Sequence, residues 1–501
     1  MGFLESIALG FSVALTPINV LYAFFGVLLG TIIGVLPGLG PVATISILLP
    51  VTFALGPQQA IIMLAGIYYG AQYGGSTTAI LVNLPGESSA VVTCIDGYQM
   101  ARQGRAGLAL ATSALASFFA GTFATLVIAA AAPQLAQVAL RFGPADYFSL
   151  MIFGLMGAVI LARGSVVKAI GMILIGILIG VIGIDVNTSV PRFTFGIMQF
   201  GDGIDFAVVA MGLFGLGETI ANLGRGEGSR GYVRNYAGLW PELKELRAIF
   251  PPALRGTLLG SALGILPGGG PVLSAFSAYS LEKKIAKDPS RFGRGAIEGV
   301  ASPEAANNAA AQTSFIPMLT LGLPSNAVMA LMIGALMMQG LRPGPQLLRD
   351  RPDLFWGLIA SMWVGNLLLV ILNLPLVGIW AKCLTVPYRF LYPAIVLVTC
   401  VGVYSINRSA MDVVLACVFG LAGYVFNLLG CEPAPLLLGV ILGPMIEENL
   451  RRALLISHGD PSVFLQRPIS LSFLILTVLL IGVLLAPMVR STREHAFDKK
   501  G

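Results

Sequence analysis

The chain has 501 residues, of which 56% are hydrophobic and 11% charged, with a net charge of +6 and a mean hydropathy of +0.86. Soluble domains carry roughly a quarter charged residues, so this composition excludes a soluble protein and indicates a polytopic membrane protein. The basic residues sit in short loops between apolar runs, as the positive-inside rule requires, which argues against a nucleic-acid surface.

The N-terminal stretch MGFLESIALGFSVALTP contains no Lys or Arg. It lacks the basic region of a cleavable signal and is expected to be retained. Apolar runs long enough to span a bilayer, about 20 residues each, follow near 17–35, 106–131, 144–162, 166–183, 204–222, 354–380, 388–405, 409–429 and 470–490. Shorter, interrupted runs lie at 41–55, 58–72, 77–95, 256–266, 270–282, 296–316, 325–340 and 433–446.

The short runs cluster around a duplicated motif. Residues 26–42 read GVLLGTIIGVLPGLGPV and residues 256–272 read GTLLGSALGILPGGGPV, 230 residues apart and identical at eleven of seventeen positions. Each copy spaces glycines four apart (Gly26, Gly30, Gly34; Gly256, Gly260, Gly264), which lets helix backbones approach closely. Each then runs into Pro37-Gly38-Leu39-Gly40-Pro41 or Pro267-Gly268-Gly269-Gly270-Pro271, a helix-breaking sequence. A break inside lipid is tolerated where the freed backbone is buried in protein or lines a cavity. Paired broken helices mark the sites of secondary transporters.

A second polar motif follows each break. In the first half it runs from Tyr69 to Thr78 and on through Asn83-Leu84-Pro85-Gly86-Glu87-Ser88-Ser89. In the second it comprises Pro303-Glu304-Ala305-Ala306-Asn307-Asn308, Gln312-Thr313-Ser314 and Leu323-Pro324-Ser325-Asn326. Leu84-Pro85 matches Leu323-Pro324, with a longer connection in the second copy.

Basic clusters at Arg102/Arg105, Arg163/Lys168 and from Arg225 to Arg255 fall on one side of the first four crossings, expected to be the cytoplasm. Lys283, Lys284, Lys287, Arg291 and Arg294 then follow the second break. Residues 256–282 have basic flanks on both ends and are expected to form a hairpin rather than a full crossing. The expected fold is therefore an all-α polytopic membrane protein of about 12 transmembrane segments in two repeats. The repeats carry broken helices or re-entrant hairpins. Residues 1–222 form one half, 223–255 a cytoplasmic connection and 256–501 the other half. An inverted relation is expected, although similarity between copies does not by itself show inversion.

The chemistry of the motifs is that of a binding site. The first Lys or Arg is Arg102, and none occurs from Gly295 to Leu341. An anion bound there would rest on backbone N–H groups at half-helix N-termini and on hydroxyls. The expected substrate contacts are Ser76, Thr77, Thr78, Asn83, Pro85, Gly86, Ser314, Pro324 and Ser325. A co-bound Na⁺ would meet the oxygens of Asn83, Asn307, Asn308 and Glu304 and the backbone at Gly38, Gly40, Gly268 and Gly270. Glu304 is the favoured intramembrane acid, ahead of Glu87 and Glu218. Enzyme chemistry finds no support: the only histidines, His458 and His495, lie far from the motifs, and there is no P-loop sequence. The five cysteines have no C-x-x-C spacing.

The stretches VLPGLGPVATISILLP, YGGSTTAILVNLPGESSAVVTCIDGYQMARQGRAGLAL, ILPGGGP and EGVASPEAANNAAAQTSFIPMLTLGLPSNAVM resemble the large membrane subunit of the tripartite tricarboxylate transporter family, over nearly the whole chain. The resemblance implies a permease of the bacterial inner membrane. It would work with a small membrane subunit and a periplasmic solute-binding protein, importing citrate or other carboxylates on an ion gradient, usually Na⁺. A passive channel and an H⁺-coupled stand-alone carboxylate transporter are the alternatives.

Overall fold

In lipid every backbone N–H and C=O needs a partner within the protein, so long apolar segments fold as helices. The structure, a computed structural model, describes residues 2–36, 39–161, 165–185, 188–223, 238–266, 270–384 and 388–485. It is mostly helical; the strands among the described residues are the short antiparallel pair β1 (Gly183–Ile184) and β2 (Pro191–Arg192). The first half contains α1 (Phe3–Ala14), α2 (Pro17–Gly34), α3 (Pro41–Phe53), α4 (Pro57–Val82), α5 (Val91–Met100), α6 (Ala106–Ala139), α7 (Pro144–Leu161), α8 (Val166–Gly180) and α9 (Phe206–Leu223). The second contains α10 (Leu243–Ile265), α11 (Gly270–Ile285), α12 (Glu298–Thr313), α13 (Phe315–Leu321), α14 (Ala327–Met338) and α15 (Pro352–Asn373). It ends with α16 (Tyr388–Asn407), α17 (Ala410–Leu428), α18 (Pro433–Ile456) and α19 (Pro468–Leu485). Six of the described helical stretches are long and apolar enough to cross a membrane, and several shorter helices are apolar too.

The duplicated glycines set the central packing. Gly26, Gly30 and Gly34 of α2 lie against the backbone carbonyls of Met63, Ile67 and Ala71 in α4. Gly256, Gly260 and Gly264 of α10 lie in the same way against Ser302, Ala306 and Ala310. A Cβ at any of the six would collide with main chain, so the close helix pair requires glycine. The partner residues correspond at an offset of 239, which is also the offset between Leu84-Pro85 and Leu323-Pro324. Both copies end in a left-handed residue at that offset, Asn83 (φ 58°) after α4 and Gly322 (φ 68°) after α13. The helices that follow cross over: α6 packs on α12 and α10, whereas α15 packs on α4 and α2.

A second group packs beside this one. α8 and α7 pack on α18, α7 also on α19, and α9 on α17. The groups meet where α3 touches α9 and α16 and where α14 touches α18. The outward side of α17 carries exposed Val414, Val418, Leu421 and Val425, a surface suited to lipid.

Three expectations about element limits change. Runs 58–72 and 77–95 were expected to be separate, yet α4 continues to Val82. Its glycines bring it onto α2 instead of breaking it: a Cβ at Gly70 would sit 2.5 Å from the Val27 carbonyl oxygen. Helix α10 starts at Leu243, inside the stretch expected to be a loop, and α18 extends to Ile456. Pro37, Gly38 and Pro267 to Gly269 lie outside the described residues. After them, α3 begins at Pro41 and α11 at Gly270.

Candidate functional site

Glu304, on α12 one residue after Pro303, is 1% exposed. The Ser76 hydroxyl of α4 lies 2.9 and 2.8 Å from its two carboxylate oxygens. Ser113 of α6 bonds Oε2 at 2.9 Å, and Ser117, one turn on, lies 3.5 Å from it. Thr93 of α5 bonds Oε1. Three helices therefore converge through neutral hydroxyls on the carboxylate of a fourth. The Asn308 amide donates to Ser117 Oγ at 2.7 Å and to the Glu304 carbonyl at 3.0 Å. Asn308 thus orients the hydroxyl shell from behind.

A second carboxylate, Glu87, sits in the non-helical segment between α4 and α5. It accepts from Ser89 and, at 3.1 Å, from the Asn307 amide. The segment lies hard on α4, where Gly86 N–H points at the Gly75 carbonyl at 3.4 Å. A Cβ at Gly86 would collide with Gly75 Cα and stand 2.5 Å from the Gly34 carbonyl, so glycine alone fits. Tyr68 of α4 faces Glu87, Gln72 and Asn326. Its hydroxyl, both amide atoms of Gln72 and the Asn307 Oδ1 are buried and form no well-directed hydrogen bond within the protein. Buried polar groups are normally paired, so these atoms mark a place for a polar ligand or water.

The predicted contacts divide. Ser76, Glu304 and Asn308 meet around one carboxylate, and Asn307 and Gly86 meet around the other. Thr77 bonds the Tyr73 carbonyl and, with Ser113 and Asn373, lines a cavity of about 10 Å³, room for one water. Thr78 bonds the Val35 carbonyl at 2.7 Å, tying α4 to the end of α2. Ser314 and Ser325 bond main-chain carbonyls, and the Asn326 side chain caps α14 at the Met329 N–H. Pro85 and Pro324 shape the two segments. Asn83 is exposed at the end of α4. Gly40 and Gly270 start helices, while Gly38 and Gly268 lie outside the described residues. Of the other acids, Glu218 is on α9 in the second group. Thr93, Ser113, Ser117, Tyr68 and Gln72 were not expected in the site. Gln72 lies within the polar motif from Tyr69 to Thr78, and Ser113 and Ser117 stand four apart on one helix face; these were the signals in the sequence.

Residues 20–438 match the model of the tripartite tricarboxylate transporter TctA family. The chain belongs to that family. A protein of Agrobacterium vitis described as an uncharacterized 52.8 kDa protein in the TAR-I ttuC' 3' region is 56% identical over 497 residues, 99% of each chain. A second from that organism, described from the TAR-II ttuC' 3' region, is 59% identical over 238 residues, 48% of this chain and 98% of its own. No solved structure matches. The TctA family is a transporter family rather than an enzyme class. Membership and the apolar helices together identify a multi-pass membrane component of a transporter.

Proposed function

We propose that this TctA-family chain is the permease subunit of a secondary active transporter that imports di- or tricarboxylates, such as citrate, driven by a cation gradient, sodium first. It works in the bacterial inner membrane with a small membrane subunit and a periplasmic solute-binding protein, as the family's tripartite description implies. Its two halves are read as inverted repeats, each supplying one Leu-Pro segment to the site.

One observation carries the reading. Buried polar atoms of Tyr68, Gln72 and Asn307 that make no well-directed hydrogen bond gather beside the segment carrying Glu87, and no basic side chain is among them. Neutral donors orient a carboxylate but do not balance its charge, so a co-transported cation has a defined part: it offsets charge that the protein does not. Na⁺ fits the oxygen-rich donors near Glu304. When bound it would supply positive charge, and Glu304 with its hydroxyls would hold it.

The test is uptake of labelled citrate, and of other carboxylates, into proteoliposomes holding the full complex and its binding protein. An inward sodium gradient should drive accumulation above the external concentration, and a sodium ionophore should abolish it. Equilibration without accumulation would make the protein a passive channel.

A further inference from the structure

We propose that Glu304 and the four hydroxyls around it are the binding site of a small monovalent metal cation of sodium's size. This rests on the cation-driven reading above and assigns its residues. Of the set expected from the sequence the site keeps Glu304, and in place of the glycines and asparagines its ligands are Ser76, Thr93, Ser113 and Ser117.

The donor set supports it first. Five buried side chains on α4, α5, α6 and α12 bring six oxygens together, the four hydroxyls each standing against an oxygen of the Glu304 carboxylate. Hard cations are held by such shells of oxygen, whereas a proton needs one acceptor. Charge supports it next. The shell carries a single carboxylate, and its other members are neutral. A monovalent ion leaves the site neutral; a divalent ion would leave an excess charge in surroundings that do not solvate it.

Hydroxyl orientation supplies the third point. To ligate a cation, a hydroxyl must turn its hydrogen elsewhere. Ser76 Oγ lies 3.2 Å from the Gln72 carbonyl, a second acceptor on its own helix. Ser117 is fixed from behind by the Asn308 amide, an outer group of the kind that orients cation ligands.

The neighbouring titratable groups leave the charge uncompensated. The charge of Glu304 acts on Glu87 and on Tyr73 of α4. On α5, Asp96 turns away to the Tyr279 hydroxyl and the N–H groups of Gly293, Gly295 and Ala296. Arg255 of α10 and Glu282 of α11 pair with each other. A cation on Glu304 therefore lessens repulsion toward an anion beside Glu87. By linkage, each ligand then raises the other's affinity by the same factor.

The test needs no substrate. The purified protein, in lipid nanodiscs, is thermally unfolded in sodium chloride against choline chloride at fixed pH and ionic strength. A ligand bound only by the folded state raises the midpoint saturably. Sodium should do so in the wild type, and Glu304→Gln should remove the effect. Ser113→Ala keeps the carboxylate and should raise half-saturating sodium. Asn308→Ala, which releases Ser117 and the Glu304 carbonyl but removes no ligand, should raise it by about tenfold or more. If Glu304→Gln does not fold, the latter two variants decide. A wild-type midpoint indifferent to sodium would overturn the assignment, as would equal half-saturation in wild type, Ser113→Ala and Asn308→Ala. Stabilisation by acid in place of sodium would make Glu304 a proton site and overturn it too. A sodium response that survives while carboxylate uptake fails would count against the permease reading alone.

Discussion

Glu87 and Asn326 occupy matching positions in the two copies, 239 residues apart, and so do Tyr68 and Asn307. The pairs face each other crosswise: Asn307 donates to Glu87, and Tyr68 faces Asn326. The contact is one interaction made twice, with a charge in only one copy. Tyr68→Phe removes a hydroxyl with no well-directed bond inside the protein. Its melting midpoint should therefore hold or rise slightly. The substrate concentration for half-maximal uptake should increase threefold to tenfold, about 1 kcal/mol for one hydrogen bond. Uptake kinetics set beside a melting curve check this; unchanged half-saturation would remove Tyr68 from the site. Glu304, Asn307 and Asn308 were legible in the sequence because an acid and two amides are costly in an apolar run. Thr93, Ser113 and Ser117 were not, because single hydroxyls in membrane helices commonly bond their own backbone or a neighbour. Only packing between the halves turns them onto Glu304.

At the scale of elements, the glycine stripes are equivalent supports. Gly30→Val and Gly260→Val each drive a side chain into the carbonyl of Ile67 or Ala306. Each should lower the melting midpoint, at a cost of about 1–3 kcal/mol or more, while Gly171→Ala, which meets open space, should not. Equal stability of all three would mean the stripes do not set the helix spacing. A second support joins α10 to α11: Arg255 Nε and Nη2 lie 2.8 and 2.7 Å from the Glu282 carboxylate, which is 2% exposed. Arg255→Ala strands the carboxylate. The loss should be about 1–3 kcal/mol, less than for a fully buried pair because Arg255 is partly exposed, and a melting curve would show it. The duplication and helix spacing were readable from the repeat of small residues. The continuity of α4 was not, because glycine that breaks a helix and glycine that lets one be approached look alike in a sequence.

At the scale of the whole molecule, the motif-bearing helices α2–α6 and α10–α15 pack mainly among themselves, and α7–α9 and α16–α19 form a second group that meets them at α3 and α14. Hydropathy had no means of showing this division, since both groups are apolar and only long-range packing separates them. Alternating access requires two bodies that move relative to each other, and this boundary is the natural place for the motion. The expectation is that the motif-bearing group slides as a unit, carrying both carboxylates with it. The contact between α3 and α16 tests it, because a Cβ at Gly402 would stand 2.5 Å from Pro50 Cγ. Pro50→Cys with Gly402→Cys, in a background lacking the five native cysteines, should form a crosslink under oxidation. Locking this contact should stop uptake while leaving sodium-dependent stabilisation unchanged, since the Glu304 site lies wholly inside one group. Reduction should restore uptake. Full uptake with the crosslink in place would refute motion across this boundary. It would move the search to the contacts inside the motif-bearing group, where α6 crosses onto α12 and α15 onto α4.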